Sequence, residues 1–376
     1  AESISQLVRP FELGRSPLFR ACVLRVRDEG ELLFFDIHHA LADARGVNVL
    51  LSDLYRLYRG ETLPEPGLQQ KDAAWDQQAR AEEEEAAARA YWLERFAGPL
   101  PKLDLPADHP RPRFHTNRAG TASFAVPDEW LGAVRALARE QGTTSYTLML
   151  SLWSLLLGRL AGVEDIVIAV ATDGRDREEF EATAGMFAAL LPLRMRVPEA
   201  GSFAALLAGN RELHAEAMRH RAFPLNRLLG ALKAPVAPER TLLSEVTFSY
   251  MNFEASAQGG FALRPVSNPS CKADLAIFAS DTGDHLFFAL EYYADLFEVG
   301  RMERLGQQFL ELLRELLAQG PQAPVLALRW SGEAQPGCVA KIEALPAIGP
   351  DGEADARTLA HVLDGFRRFF NDASIV

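Results

Sequence analysis

Residues able to do chemistry are concentrated in one short stretch of the sequence. Two adjacent histidines, His38 and His39, follow an apolar run of strand length at 32–37, and Asp43 comes four residues after them. Neighbouring side chains on an extended backbone point to opposite faces, so at most one histidine reaches a given cavity. Histidine titrates near neutral pH, and the one that faces a cavity is therefore a candidate to accept a proton from an attacking nucleophile.

Asp43 is suited to hold this turn in place. It either pairs with a buried cation or accepts hydrogen bonds from the amides that open the next helix. A packed strand end, with Asp43 as a simple helix cap, is an equally good interpretation of the local pattern. A metal site formed by His39 and Asp43 is disfavoured, because no third ligand has a suitable spacing. We therefore expect no metal.

The stretch from His38 to Ala44 resembles the HHxxxDG signature of the condensation domains of nonribosomal peptide synthetases, which share the fold of chloramphenicol acetyltransferase. Ala44 replaces the final glycine. Alanine tolerates a positive φ poorly, so the local backbone is in question, and Gly46 is a candidate to provide the turn instead. The segment 185–194 is similar to a second signature of that family, with Ala189 where the family usually has asparagine.

The resemblance implies a role for each matching residue. His39 is implied as the catalytic residue, with His38, Asp43 and Arg194 supporting the motif. We interpret Arg194 as the buried cation that pairs with Asp43; a surface arginine on a strand is the alternative. Ala189 is expected to remove an amide contact to the substrate. The substrate-binding residues stay unassigned.

The fold and activity implied are those of the family. We expect an α/β fold, an α+β sandwich of two chloramphenicol acetyltransferase-like lobes in a V around a central tunnel. The implied reaction joins a donor acyl or peptidyl thioester to an acceptor aminoacyl group, both carried on 4′-phosphopantetheine arms. The implied partners are the upstream and downstream peptidyl carrier proteins and the adjacent synthetase domains. No cofactor of the domain itself is implied, since the thioester already carries the activation.

Two alternative functions stay open at this point. One is a CoA-dependent acyltransferase, or an epimerase-type relative, of the same fold. The other is a non-catalytic domain that docks or recruits carriers, which the substitutions Ala44 and Ala189 favour.

A proline-rich segment ending at Pro112 divides the chain into two parts that both alternate strand and helix patterns. We expect an amino-terminal lobe at 1–112, lacking the beginning of the family pattern, and a carboxy-terminal lobe at 113–320. Residues 321–376 are expected to form a tail that faintly resembles the end of an adenylation domain and the start of a carrier domain.

Hydrophobic periodicity predicts the individual elements. A hairpin formed by 19–26 and 32–37 precedes the histidines, and a helix starting near Val47 follows them. A helix at 72–96 carries Trp75 and Trp92, both expected as core anchors. Further strands are predicted at 121–126, 164–170, 245–252, 274–280 and 285–293, and helices at 127–141, 146–160, 203–220 and 299–317.

Composition narrows the class of protein. The 376 residues are 48% hydrophobic, which is enough for two cores, and no apolar stretch is long enough to span a bilayer. A net charge of −12 opposes general binding to nucleic acid or to anionic membranes. The three cysteines, Cys22, Cys271 and Cys338, fit no metal or redox spacing, and we expect a reducing cytoplasm as the location.

Overall fold

The structure, a computed structural model, describes residues 7–26, 30–175, 177–198, 200–235, 237–252 and 270–330. The tail segments that resemble adenylation and carrier domains lie outside the described residues, as does Cys338.

An antiparallel hairpin leads into the histidine turn, as predicted. Strand β1 (Phe19–Val26) pairs with β2 (Gly30–Ile37), and Phe19 lies opposite Ile37. Phe34 and Asp36 are buried on one face of the hairpin. Where the chain leaves β2, the amide of His38 donates to the carbonyl of Leu18 at 2.9 Å. The hairpin thus fixes where the turn begins.

Helix α1 (Ala44–Tyr58) starts directly after this turn, with Asp43 as its N-cap. Ala44 is the first helical residue, a position that needs no positive φ, so alanine fits where the signature has glycine. The helix ends before Gly60, whose φ is +79°. Helix α2 (Gln70–Arg95) follows, and its Asp72 carboxylate accepts from the amide of Gln69 at 2.8 Å.

A mixed six-stranded sheet dominates the rest of the chain. Its order is β3 (Ala119–Val126), β8 (Leu286–Tyr293), β7 (Leu275–Asp281), β6 (Val246–Asn252), β4 (Asp165–Thr172) and β5 (Ala189–Arg196). The β4–β6 and β6–β7 pairs are parallel and the others antiparallel. The predicted α/β class is confirmed. The V of two lobes around a tunnel stays a prediction.

Helices cover one face of this sheet: α3 (Asp128–Glu140), α4 (Ser145–Ala161), α5 (Phe203–Arg219) and α7 (Val299–Gln319). The short helix α6 (Leu225–Ala231) contacts α2 and β5. Helix α4 is buried nearly all round, as its apolar circumference predicts, and its Trp153 stacks on Phe309 with ring centroids 4.3 Å apart. Strand alternation turns Phe248 and Ile277 into this core, so Thr247 and Ala276 point to the opposite side of the sheet. Helix α6 was not predicted, because seven residues are too few to establish a period.

Packing continues past the predicted start of the tail at 321. Ala323, Val325 and Leu328 are buried in the main core. The Arg159 guanidinium donates to the carbonyl of Leu328 at 2.6 Å. Residues 321–330 are therefore part of this packed unit. Within the described part of the chain, every helix is too short or too polar to cross a membrane.

The two tryptophans of α2 have different environments. Trp92 is 1% exposed and donates from Nε1 to the carbonyl of His220 at 2.8 Å. Trp75 is 76% exposed, so the prediction that it anchors the core is wrong. Ala73 is the buried residue at that end of the helix, and a side chain two positions later is rotated about 200° away from it.

Candidate active site

The two histidines lie in the turn that follows β2, beyond the last strand residue. His39 is fully buried, and its Nδ1 lies 3.0 Å from the carbonyl oxygen of Ala42. A carbonyl only accepts, so in the neutral ring Nδ1 carries the proton and Nε2 holds the lone pair. The turn therefore fixes which nitrogen of His39 is the basic one.

His38 lies in a different environment. It is half-buried, and its ring meets Phe11 edge-on with centroids 5.9 Å apart. Its Nδ1 accepts from the amide of Ala40 at 3.1 Å. The structure thus gives His38 a role in packing and in shaping the turn, on a different side from the cavity that His39 lines.

Burial controls the protonation of His39. Desolvation lowers its pKa from 6.5 to about 4, even though the hydrogen bond with Ala42 and the charge of Asp43 act in the opposite direction. The charge of Lys272 lowers the pKa further. At neutral pH His39 is therefore uncharged, and its Nε2 is an acceptor.

Asp43 is fully enclosed by N–H donors. Its Oδ1 accepts from the amide of Gly46 at 2.7 Å, and its Oδ2 accepts from the amides of Phe187 and Ala188 at 2.9 and 3.1 Å. Arg175 donates to both oxygens, at 2.8 and 3.1 Å. This arrangement suits an anchor between the start of α1 and the loop 183–188. Among the residues that the structure describes, no cluster of His, Cys, Asp or Glu could hold a metal ion.

The cation that pairs with Asp43 is Arg175, which corrects the prediction of Arg194. The Arg175 side chain is fully buried and lies over the Phe187 ring at 4.2 Å, and its Nη2 donates to the carbonyl of Thr183 at 3.1 Å. One signal for this site is present in the sequence: Gly174 directly precedes Arg175. In the structure Gly174 has a φ of +62°, and a Cβ there would lie 2.0 Å from the Phe187 carbonyl oxygen.

Arg194 instead pairs with Asp165 at 2.6 Å and donates to the carbonyl of Arg95 at 3.1 Å. Arg194 does not pair with Asp43 because it lies too far along β5. Arg194 is five residues beyond Ala189 on an extended strand, about 17 Å from the end where Asp43 binds. Arg175 follows β4, whose last residue, Thr172, lies opposite Ala189.

Gly46 allows a close contact between two backbone segments that was not predicted from the sequence. A Cβ on Gly46 would lie 2.6 Å from the carbonyl oxygen of Gly185, so the two backbones touch. The Asp43 amide donates to the same carbonyl at 3.0 Å. Gly46 therefore does not form a turn, as considered from the sequence, but allows α1 to lie against the loop 183–188.

His39 lines a cavity of about 560 Å³. Ala189, the other position where the signature differs, lines the same cavity. The opposite wall comes from the sheet face that points away from the helices, and α6 and the loop before β6 complete it. The lining residues described are His39, Asn117, Met186, Ala188, Ala189, Leu190, Leu225, Asn226, Leu229, Ala237, Arg240, Thr241, Leu242, Ser244, Thr247, Ser249, Lys272, Ala273, Ala276 and Phe278.

Two cations of this wall were also missed from the sequence. Arg240 donates to Glu245 at 2.9 Å and also pairs with Asp104. Lys272 lies just before β7. Neither stands in a recognisable motif, and only the fold brings them to the cavity of His39.

Comparison with known proteins gives a consistent family. A family model described as "Condensation domain" matches residues 1–330. A plipastatin synthase from Bacillus subtilis (strain 168) is 33% identical over 330 residues, which are 86% of this chain and 13% of that protein. Tyrocidine synthase 2 of Brevibacillus parabrevis is 32% identical over 318 residues, 83% of this chain and 9% of that protein. The chain thus spans only a small part of the length of these relatives.

Solved structures match in fold. The X-domain from teicoplanin biosynthesis has a TM-score of 0.77 at 22% identity, over 86% of this chain and 77% of that one. The first condensation domain of the calcium-dependent antibiotic synthetase, in complex with a substrate analogue, has a TM-score of 0.66 at 22% identity, over 84% and 70% of the two chains.

Proposed function

Because the chain belongs to the condensation-domain family of nonribosomal peptide synthetases, we propose that it forms an amide bond between a donor acyl thioester and an acceptor aminoacyl group. Both groups are delivered on 4′-phosphopantetheine arms of carrier proteins, upstream for the donor and downstream for the acceptor. The observation that carries this proposal is the placement of His39: a buried, neutral imidazole that lines a cavity large enough for an aminoacyl group.

His39 acts on the acceptor amine through Nε2. The bond from Nδ1 to the Ala42 carbonyl holds the ring and leaves the lone pair on Nε2, which accepts a hydrogen bond from the amine. A pKa of about 4 makes the imidazolium a poor store for a proton near pH 7. We therefore assign His39 to orienting the amine and steering its proton.

The reaction is balanced without an external reagent. The amine nitrogen bonds to the thioester carbon, the carbon–sulfur bond breaks, and the proton lost by the amine ends on the departing sulfur. Asp43 and Arg175 support this step indirectly, because they fix the turn that holds His39. They are positioning residues.

A cytoplasmic location is part of the proposal. Within the described residues both cysteines, the exposed Cys22 and the buried Cys271, are free thiols, which suits a reducing compartment.

The test is product formation by the full chain with loaded donor and acceptor carriers, followed by mass spectrometry. His39→Ala is expected to lower amide formation about 10²-fold, because the amine loses the group that orients it. His38→Ala is the matched control, because His38 contacts Phe11 instead of the cavity, and it should lose much less. Wild-type turnover in His39→Ala would refute the role of His39.

The same assay separates the alternatives. Turnover of a CoA thioester with a free acceptor, and none with loaded carriers, would indicate a CoA-dependent acyltransferase. Carrier binding without any product from either donor would indicate a docking domain.

A further inference from the structure

The cavity beside His39 has a closed side and an open side. Among the described residues that line it, Ser249, Ala276 and Phe278 on the sheet are 4%, 4% and 2% exposed. Asn117 and Asn226, which line the same cavity before β3 and on α6, are exposed. The sheet therefore forms the floor of the cavity, and its mouth lies between α6 and the segment before β3.

One part of this floor combines a small side chain with an aromatic ring. Ser249 on β6 lies opposite Phe278 on the parallel strand β7. Both point away from the helices, because their neighbours Phe248 and Ile277 point into the main core. Ser249 and Phe278 thus stand side by side on the surface that the cavity exposes.

The Phe278 ring is held in place from the β8 side. It packs in a small apolar cluster with Phe287 and Ala289, and Ala289 lies opposite it in the register of β7 and β8. On the β6 side its neighbour is Ser249, whose side chain ends at the hydroxyl. The floor is therefore lower over Ser249 than over the Phe278 ring.

The charged groups near the floor lie away from this low point. Glu291 on β8 is opposite Ala276, which precedes Phe278 by two residues. Because β7 separates β6 from β8, Ser249 lies about 10 Å across the sheet and about 7 Å along it from Glu291. Lys272 precedes β7, six residues before Phe278. A side chain lying over Ser249 and against the Phe278 ring contacts an uncharged part of the floor.

The proposed function brings the acceptor side chain to this space. His39 accepts a hydrogen bond from the amine, and the carbon that carries the side chain is bonded directly to that nitrogen. The cavity that His39 lines has a volume of about 560 Å³. A hydrogen or methyl side chain leaves most of this volume to water, whereas a large apolar side chain covers the floor and gains from burial.

We propose that Ser249 determines which acceptor is used: its small side chain leaves room on the floor for a large apolar side chain, of aromatic size, which packs against Phe278. This inference rests on the proposed function, because it places the acceptor amine beside His39. Two aromatic rings in contact gain more than burial alone provides. An acceptor with a small side chain does not reach the ring.

The experiment compares two non-reactive probes, phenylalanyl- and alanyl-pantetheine with an amide in place of the thioester. They differ only in the phenyl ring. Calorimetry on the full wild-type chain should show at least about tenfold tighter binding of the phenylalanyl probe. Affinities within about threefold of each other, or no binding of either probe, would overturn the inference.

Binding is measured here without any bond formation. A chain that prefers the phenylalanyl probe and yet makes no amide refutes the proposed function alone. A chain that makes amides and binds both probes equally refutes the selection by size alone.

A matched pair of variants tests Ser249 itself. Ser249→Leu fills the floor beside Phe278 and should lower the preference for the phenylalanyl probe to about threefold or less, while the alanyl probe binds as before. Ser249→Ala removes the hydroxyl, keeps the room and should retain the wild-type ratio. An unchanged ratio in a Ser249→Leu variant that is folded by circular dichroism, or an equal loss in both variants, would contradict the proposal.

A smaller substitution provides the test if the leucine variant does not fold. Ser249→Val adds less volume, so its ratio of affinities should lie between those of the alanine variant and the value expected for leucine. A folded Ser249→Val variant with the wild-type ratio would also count against a role of Ser249 in selection.

Discussion

The Arg175–Asp43 pair and the Arg194–Asp165 pair are both close contacts, with N–O distances of 2.8 and 2.6 Å. Their surroundings differ. The first pair is buried, with side-chain exposures of 0% and 3%, whereas the second has exposures of 20% and 48%. The first joins α1 to the loop 183–188, and the second lies at the end of the sheet where the chain leaves α2.

Distance alone therefore does not rank these pairs. Removing one partner of a buried pair leaves a charge with neither water nor counter-ion, while an exposed partner simply regains water. The pair with the longer N–O distance is the one on which the histidine turn depends.

The largest effect is expected from Arg175→Met. It leaves the Asp43 carboxylate buried without its cation and should lower the free energy of unfolding by about 3 to 5 kcal/mol, measured by urea denaturation. Asp43→Ala should also destabilise, and the double variant should lose less than the sum of the two. A loss below about 1 kcal/mol for Arg175→Met would show that burial does not distinguish the two pairs.

The next largest effect concerns the pH dependence of stability that arises from His39, in the turn held by the buried Arg175–Asp43 pair. The pKa of His39 is lowered from 6.5 to about 4 in the folded chain, so the unfolded chain binds the proton first as the pH falls. The free energy of unfolding is therefore highest above pH 6.5 and falls as the pH is lowered to 4. Over this range the wild-type chain should lose about 3 kcal/mol more than the His39→Gln variant. Unfolding of both proteins between pH 7 and 4 tests this, and parallel curves would contradict it.

A smaller effect is expected from adding a methyl group where α1 lies against the loop 183–188. Gly46→Ala places a Cβ against the Gly185 carbonyl and should destabilise by about 1 to 3 kcal/mol, although alanine favours helices. Gly209→Ala in α5 is the control: no atom lies within 4 Å of its added Cβ, so it should stabilise by about 0.5 to 1 kcal/mol. Thermal melts compare the two. Equal shifts would show that α1 adjusts without cost.

The smallest effect is expected from Arg194→Met. The half-exposed Asp165 regains water, and the free energy of unfolding should fall by about 1 kcal/mol or less, with a smaller loss at high salt. Urea denaturation at low and high ionic strength measures this. A loss as large as that of Arg175→Met would remove the distinction between the two pairs.

Much of the fold could be predicted from local pattern. The hairpin, the helix that follows Asp43, the mostly apolar helix α4 and the strands β3, β4 and β6 to β8 were all predicted close to their observed bounds. These features depend on periodicity, capping and turn residues, which act over a few positions of chain. The short helix α6 and the exposure of Trp75 depend on which face meets a neighbour, and the pattern does not contain that information.

The candidate site also contains some features that the sequence predicts and others that depend on the tertiary structure. The histidine pair is visible in the amino-acid order, and helix capping is one of the two roles that the order leaves open for Asp43. The two histidines lie beyond the last residue of β2, so the turn, and not strand alternation, gives them different surroundings. The partner of Asp43 does not follow from the order, since Arg175 is 132 positions away and meets it through the folded sheet. The sheet also brings Arg240 and Lys272 to the cavity of His39. Strand order and register set which distant residues meet, and several arginines satisfy the same local pattern until the sheet fixes their positions.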